Sequence, residues 1–125
     1  MDDGALEVVE DRKKLARFAR GVDVVTFDWE NVPVASARAI AAIRPVWPPP
    51  RALEVAQDRV SEKRLFRRLG IPVAPFAAVD TAADLARAID SLGWPGILKT
   101  RRLGYDGKGQ VRIRRAREAA QAFEL

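Results

Sequence analysis

The sequence predicts an α/β fold, in which part of a doubly wound sheet is followed by the first part of a second α/β domain. Residues 1–50 alternate between strand-like and helical segments, which is the rhythm of a doubly wound sheet. A proline cluster, VWPPPR at 46–51, interrupts this alternation, because three consecutive prolines continue neither a helix nor a central strand. The cluster therefore predicts two domains, residues 1–50 and residues 51–125.

The second strand is the clearest element of the first domain. VDVVTFDWENVP (22–33) begins as an uninterrupted apolar run, as in a strand buried on both faces of a parallel sheet, and turns polar only at its end. Before it, Asp11 is a candidate helix cap and Gly21 a helix terminator. The predicted elements are a strand at 5–9, a helix at 11–20, the strand beginning at 22, a helix at 34–43 and a strand at 45–47.

Hydrophobic periodicity predicts the elements of the second domain. ALEVAQDRVSEKRLFRRLG (52–70) has the pattern of one helix that ends at Gly70, and a proline-punctuated extended connection follows at 71–79. Thr81 is a candidate cap for the next helix. The remaining predicted elements are a helix at 81–93, strands at 95–100 and 110–114 that form a hairpin, and a helix at 115–125.

Composition excludes several kinds of chemistry. The chain contains no cysteine and no histidine, which removes disulfides, thiolate nucleophiles and the commonest general base. The net charge of +5 is modest and spread widely, so an anionic small molecule is a better expectation than nucleic acid. No apolar run approaches the roughly 18 residues of a membrane span, and the first residues are acidic. We therefore expect a soluble, cytoplasmic protein without a membrane or nucleic-acid partner.

The loop TRRLGYDGKGQV (100–111) is the strongest candidate for a functional site. Its glycine spacing matches neither a Walker A loop nor a dinucleotide fingerprint. Between two antiparallel strands, however, such a loop can fold over a triphosphate, because glycine brings backbone N–H groups close to the phosphate oxygens. Lys99 ends the first strand, where its ammonium group could reach an α- or β-phosphate. A solvated surface turn, made soluble by its cations, is the alternative.

Two further residues have open interpretations on sequence alone. Arg59 begins a helical segment that is rich in Lys and Arg, so it either binds an anion or belongs to a solvated basic face. Glu30 lies at the carboxyl end of its strand, where open α/β sheets bind ligands, but it could also cap the helix that begins near Pro33.

Three segments together resemble one family of ATP-grasp enzymes, the 5-(carboxyamino)imidazole ribonucleotide synthases of purine biosynthesis. The segments are DVVTFDWENVP (23–33), QDRVSEKRLFRRLGIPVAPFAAV (57–79) and ILKTRRLGYDGKGQ (97–110), in the correct order and spacing. The resemblance implies the end of a pre-ATP-grasp domain, which is the doubly wound sheet, followed by the first part of an ATP-grasp domain. It also implies an internal fragment that is inactive alone.

The resemblance implies a reaction and residues that carry it. The family joins bicarbonate to 5-aminoimidazole ribonucleotide with ATP and releases ADP and phosphate. Glu30, Tyr105 and Asp106 would bind the ribonucleotide, and Tyr105, Asp106 and Lys108 would act at the reacting groups. Mg²⁺ is implied, with ligands outside this chain, and so is a homodimer of the full-length protein. The implied ATP-binding residues are Arg59, Lys99, Gly104, Tyr105, Asp106, Gly107, Lys108, Gly109 and Gln110.

One departure from the family pattern concerns the loop itself. Leu103 stands where the family usually has another glycine, so a stiffer or altered loop is expected. Two alternatives to the predicted function remain open. One is another ATP-grasp ligase or carboxylase, such as a formate-dependent glycinamide ribonucleotide transformylase, and the other is a non-catalytic module that binds nucleotides or polyanions.

Overall fold

The computed structural model describes residues 11–104 and 107–123. The chain divides after Glu62 into two compact units. The boundary predicted at residue 50 falls within the first unit, and the assignment of residues 1–50 and 51–125 to two domains stays a prediction. The strand predicted at 5–9 lies outside the described residues.

The first helix, α1 (Arg12–Arg20), is confirmed together with its cap. Asp11 Oδ1 accepts hydrogen bonds from the backbone N–H groups of Lys13 and Lys14, at 2.8 and 3.2 Å. These bonds satisfy two of the amide groups that a helix start leaves without a partner. Leu15 and Ala19 are the buried face of α1.

The strands predicted at 22–33 and 45–47 meet only in an isolated parallel bridge between Val25 and Val46, so the prediction of full strands here was wrong. Val25 N–H donates to the Pro45 carbonyl and Trp47 N–H donates to the Val25 carbonyl, both at 2.9 Å. A longer ladder would next need N–H donors from residues 45 and 49, and both are prolines. The parallel direction nevertheless agrees with a doubly wound sheet.

The single helix predicted at 52–70 is two helices. Helix α2 (Val34–Ala41) precedes them, and α3 (Pro50–Ala56) and α4 (Arg59–Arg68) follow. The break occurs because Asp58 caps α4: its Oδ1 accepts from the N–H groups of Val60 and Ser61 at 3.0 and 2.9 Å. Helix α4 begins in the first unit and continues into the second.

The first unit has a small apolar core. Its buried members are residues of α1 and α2 together with Val46, which forms the bridge to Val25. Partly buried Val25, Phe27 and Ile43 pack against that core, so the segment that leads toward Glu30 is held by its apolar side chains as well as by the bridge. The buried core residues are Leu15, Ala19, Ile40 and Val46.

The second unit packs two helices against a hairpin. Helix α5 (Ala82–Leu92) starts with a capping box between Thr81 and Asp84, as its sequence predicts. The strands β1 (Gly96–Lys99) and β2 (Gln110–Ile113) form the predicted antiparallel hairpin. A 3₁₀ turn (Ala116–Glu118) leads into α6 (Ala119–Phe123), so the last predicted helix begins later than residue 115. Leu85, Ile113 and Ala122 are buried between these elements.

None of the helices in the described ranges is long and apolar enough to cross a membrane.

Candidate functional site

The register of the hairpin sorts its side chains onto two faces. Lys99 pairs with Gln110 and Leu98 pairs with Val111, and side chains of directly paired residues lie on the same face of a sheet. Leu98 and Val111 pack against the apolar core of the second unit. Lys99 and Gln110 are exposed on the opposite face, together with Ile97. The hairpin thus presents a cation, an amide and an apolar side chain side by side to solvent.

Hydrogen bonding continues from the strands into the loop. Thr100 N–H donates to the Gly109 carbonyl at 2.7 Å, which closes the base of the loop directly beyond the Lys99 and Gln110 pair. Gly109 has a φ of +66°, and a β-carbon there would lie 2.5 Å from Thr100 Oγ1. Both the backbone angle and the close approach of Thr100 therefore require glycine at this position.

Leu103 also has a left-handed backbone conformation, with a φ of 63°. Such angles favour glycine, because a β-carbon approaches the neighbouring carbonyl oxygen. The side chain of Leu103 is 71% exposed, so little packing offsets this strain. The residue that departs from the family pattern thus occupies a conformation for which glycine is better suited.

The structure describes some of the other predicted loop residues and leaves two of them outside the described ranges. Gly107 and Lys108 are exposed, and Gly104 is partly buried. Tyr105 and Asp106, to which the resemblance gives roles in ATP binding, substrate binding and catalysis, lie outside the described residues. The register brings together Lys99, Gln110 and Gly109, whereas the roles of all these residues stay predictions.

An ion pair that the sequence analysis did not anticipate lies at the start of the loop. Arg101 Nη1 is 3.6 Å from Asp80 Oδ1, which links the loop to the residue that precedes the Thr81 cap of α5. The two side chains are 46% and 71% exposed. Exposed pairs of this kind contribute roughly 0–1 kcal/mol, so this pair adds little to the stability of the fold.

Glu30 belongs to the first unit and its side chain is exposed. Helix α2 begins after Pro33 and has no side-chain hydrogen bond at its cap, so Glu30 does not fill the capping role that the sequence left open. Instead, the backbone around Glu30 is held by Gln57. Gln57 Nε2 donates to the Glu30 carbonyl at 2.8 Å and to the Val32 carbonyl at 2.6 Å.

Arg59 is the first residue of α4 and follows the buried pair Gln57 and Asp58. Sequence reasoning overlooked this pair because it extended one helix through residues 52–70. The sequence did contain a signal, since an aspartate followed by a helical segment is a common start of a helix. Gln57 and Asp58 connect the backbone at Glu30 with the helix start at Arg59, and both lie within the first unit.

The described carboxylates do not form a metal site. Across residues 11–104 and 107–123, no group of three or more acidic residues is placed to hold a metal ion. The carboxyl groups of Glu54, Asp84 and Glu118 have lowered pKa values because each accepts hydrogen bonds, first from Arg51, Thr81 and the Arg114 backbone respectively. These three residues serve helix ends and surface pairs, and none of them is a predicted site residue.

Two family models match the chain and between them cover most of it. A model of the ribonucleotide synthetase preATP-grasp domain matches residues 5–57, and a model of the ATP-grasp domain matches residues 64–125. The chain belongs to the ATP-grasp family. The pre-ATP-grasp segment matches most of the first compact unit, and the ATP-grasp segment includes the hairpin and its loop.

Relatives and solved structures support a more specific likeness. The chain is 51% identical over 104 residues to the N5-carboxyaminoimidazole ribonucleotide synthase of Brucella melitensis, covering 83% of this chain and 29% of that protein. The Thermus thermophilus synthetase structure has a TM-score of 0.83 at 44% identity, over 93% of this chain and 31% of the other. The synthase from Aspergillus clavatus, in complex with ADP and 5-aminoimidazole ribonucleotide, has a TM-score of 0.79 at 26% identity, over 93% of this chain and 30% of the other.

These likenesses confirm the predicted resemblance to the 5-(carboxyamino)imidazole ribonucleotide synthases and the predicted ATP-grasp fold class. The chain spans 29% to 31% of the length of these relatives. An ATP-grasp protein of this likeness is expected to be an ATP-dependent ligase.

Proposed function

We propose that the chain supplies part of an ATP-dependent ligase that joins bicarbonate to 5-aminoimidazole ribonucleotide and releases ADP and phosphate. The observation that carries the proposal is the hairpin. Its exposed Lys99 and Gln110 flank the base of a loop that requires glycine at residue 109. A chain of the ATP-grasp family with this arrangement is suited to hold a nucleoside triphosphate.

The hairpin would act on the phosphates of ATP. Lys99 would neutralise phosphate charge, and the loop from Gly104 to Gln110 would fold over the phosphates so that backbone N–H groups approach their oxygens. Lys108 adds a second cation on the loop. Phosphoryl transfer depends mainly on positioning and charge neutralisation, so the absence of histidine and cysteine from the sequence is no obstacle.

The remaining roles follow the resemblance. Tyr105, Asp106 and Lys108 would face the ribonucleotide and the group derived from bicarbonate, which the γ-phosphoryl group would activate. Glu30 would contact the sugar of the ribonucleotide, and Arg59 would bind ATP phosphates. The side chain of Glu30 is exposed and does not cap α2, and both observations support its assignment to the ribonucleotide.

Three further features belong to the proposal. The resemblance implies Mg²⁺, and its ligands are proposed to lie outside this chain, with no step assigned to the ion. The full-length protein is proposed to be a cytoplasmic homodimer with bicarbonate as its second small substrate. Its domains are proposed to meet near residue 50, although the compact units divide after Glu62.

Phosphate release by the full-length protein tests the proposal. We expect release that requires both bicarbonate and 5-aminoimidazole ribonucleotide, whereas formate with glycinamide ribonucleotide should not support it. The 125-residue chain alone should show no turnover. Release with formate and glycinamide ribonucleotide would favour the other ligase, and phosphate release that is independent of the ribonucleotide would contradict the proposal.

A pair of lysine variants tests the role of the hairpin. Lys99→Ala should lower kcat/KM for ATP about 10- to 100-fold, since it removes one charged hydrogen bond to a phosphate. Lys13→Ala is the matched control, because Lys13 is an exposed lysine on α1. Equal activity of the two variants would contradict the assignment of Lys99 to the phosphates.

A further inference from the structure

Gln57 is a buried polar residue to which neither the sequence analysis nor the proposed function gives a role. Its exposed fraction is 9%, and its single side-chain nitrogen donates to two carbonyl oxygens, those of Glu30 and Val32. A glutamine amide group has two N–H donors, so these two acceptors use both of them. The side chain therefore holds the backbone on both sides of Asn31.

Gln57 is itself held firmly by the helices on either side. Its backbone N–H donates to the Leu53 carbonyl at 3.0 Å, in the last turn of α3. The next residue, Asp58, is 8% exposed and caps α4 through Val60 and Ser61. A side chain that projects from such a junction has little freedom, so its two bonds fix the turn at residues 30–32 against α3 and α4.

The turn itself needs this support. Residues 28–33 lie outside helices and strands, and the parallel bridge that precedes them involves only Val25 and Val46. The Glu30 side chain is exposed, so the direction in which it points depends on the path of its backbone. Glu30 and Val32 are bound through their carbonyl oxygens, which leaves the Glu30 carboxylate available for another partner.

We propose that Gln57 is a positioning residue that sets the Glu30 carboxylate for the ribonucleotide by binding the backbone carbonyls on both sides of Asn31. This inference rests on the proposed function, because it takes Glu30 as a ligand of the second substrate. It assigns to Gln57 an effect on affinity for the ribonucleotide and not on affinity for ATP. Glutamine suits the position because asparagine is one methylene shorter and glutamate has no N–H donor.

Substitution of Gln57 in the full-length protein tests the inference by kinetics. Gln57→Met, which keeps the length of the side chain without its donors, should raise KM for 5-aminoimidazole ribonucleotide about tenfold, with KM for ATP changed less than about twofold. Gln57→Asn retains the donors with a shorter reach and should give an intermediate increase. Gln121→Met, the same substitution on the exposed surface of α6, should leave both KM values unchanged.

A double-mutant cycle distinguishes a positioning role of Gln57 from a general loosening of the fold. If Gln57 acts through Glu30, the effect of Gln57→Met on KM for the ribonucleotide should nearly vanish in a Glu30→Gln background. Additive effects would overturn the inference. An unchanged KM for the ribonucleotide in Glu30→Gln, or equal changes of both KM values in Gln57→Met, would overturn it as well.

Hydrogen exchange gives a readout that does not depend on turnover. The N–H groups of Ser36 and Ala37 donate to the Pro33 carbonyl, directly after the turn that Gln57 holds. In Gln57→Met these amides should exchange about fivefold faster or more, and in Gln121→Met they should not. Unchanged exchange would overturn the positioning role alone. A wild-type protein without ribonucleotide-dependent phosphate release would instead overturn the proposed function.

Discussion

Gly109→Ala is the substitution whose effect the structure specifies most closely. The new β-carbon would lie 2.5 Å from Thr100 Oγ1, 3.0 Å from Thr100 Cγ2 and 3.3 Å from Thr100 Cβ. Rotation of the threonine side chain to another staggered conformer can turn one terminal atom away, but the other terminal atom and Cβ stay close to the new methyl group. Relief of these remaining contacts requires the backbone to shift, at the point where Thr100 N–H donates to the Gly109 carbonyl.

Two effects contribute to the expected destabilisation. An alanine at a φ of +66° costs roughly 1–2 kcal/mol, because its β-carbon approaches the adjacent carbonyl oxygen. The clash with Thr100 adds about 1–3 kcal/mol, which is the usual cost of forcing atoms into a packed site. We therefore expect Gly109→Ala to lower the free energy of unfolding by about 3 kcal/mol in total.

The chain offers a control that isolates the clash. Gly107 has a φ of +79°, but a β-carbon added there would have as its nearest neighbour Gln110 Nε2, at 3.4 Å, which is the end of a flexible side chain. Gly107→Ala should therefore show only the backbone cost, about 1–2 kcal/mol. Thr100→Ala in the Gly109→Ala background should restore most of the difference in unfolding free energy between Gly109→Ala and Gly107→Ala. Urea unfolding followed by circular dichroism measures all four chains. The reasoning would be refuted if the two glycine substitutions lowered the free energy of unfolding equally. It would also be refuted if Thr100→Ala restored no stability to Gly109→Ala.

Two further predictions concern the same unit. Leu103→Gly should raise the midpoint of urea unfolding, and a lower midpoint would contradict the strain inferred from its φ. The pKa of Asp84 is lowered first by the hydroxyl hydrogen bond from Thr81, so the stability that this carboxylate contributes is present above its ordinary value of 3.8 and is lost as pH falls through the lower folded value. Asp84→Asn should accordingly weaken the loss of unfolding free energy between about pH 5 and pH 2, and an acid profile identical to that of the unsubstituted chain would contradict this.

The sequence predicted the fold wherever local signals decided the structure. Asp11 and Thr81 are both helix caps, as expected, because a short polar side chain before an apolar periodic segment satisfies the first amide groups of a helix. The hairpin was predicted from alternating apolar residues on both sides of a glycine-rich loop. These features depend on residues close together in the chain.

The sequence was misleading where the outcome depends on a partner or on a competing local signal. The run from residue 22 has the composition of a buried strand, yet its ladder with residues 45–47 is limited by Pro45 and Pro49, which lie far away in the chain. Asp58 divides the helix predicted at 52–70, and its capping role was masked by the continuous helical periodicity around it. A periodic pattern shows which residues favour a helix but does not show where a polar side chain ends it.

The candidate site shows the same division. Lys99, Gln110 and Gly109 were named from the motif, and the strand register explains how three residues up to eleven positions apart in the chain come together. Gln57 escaped notice because a lone glutamine carries no pattern, and its importance depends on two carbonyl groups 25 and 27 residues earlier. Contacts between distant backbone groups and single side chains are therefore the part of the site that needed the structure.

At Leu103, the contributions of the backbone and of the side chain to the stability of the loop can be compared. Its side chain is 71% exposed, so replacing it by glycine removes little buried apolar surface. Glycine relieves the left-handed strain of about 1–2 kcal/mol, but it also increases the conformational entropy lost on folding, at a cost of roughly 0.5–1 kcal/mol. The relief of strain is on average larger than the entropy cost, so the net change favours the folded chain by about 0–1.5 kcal/mol. A leucine at this position thus leaves the loop with the backbone path of a glycine and less stability than a glycine would give it.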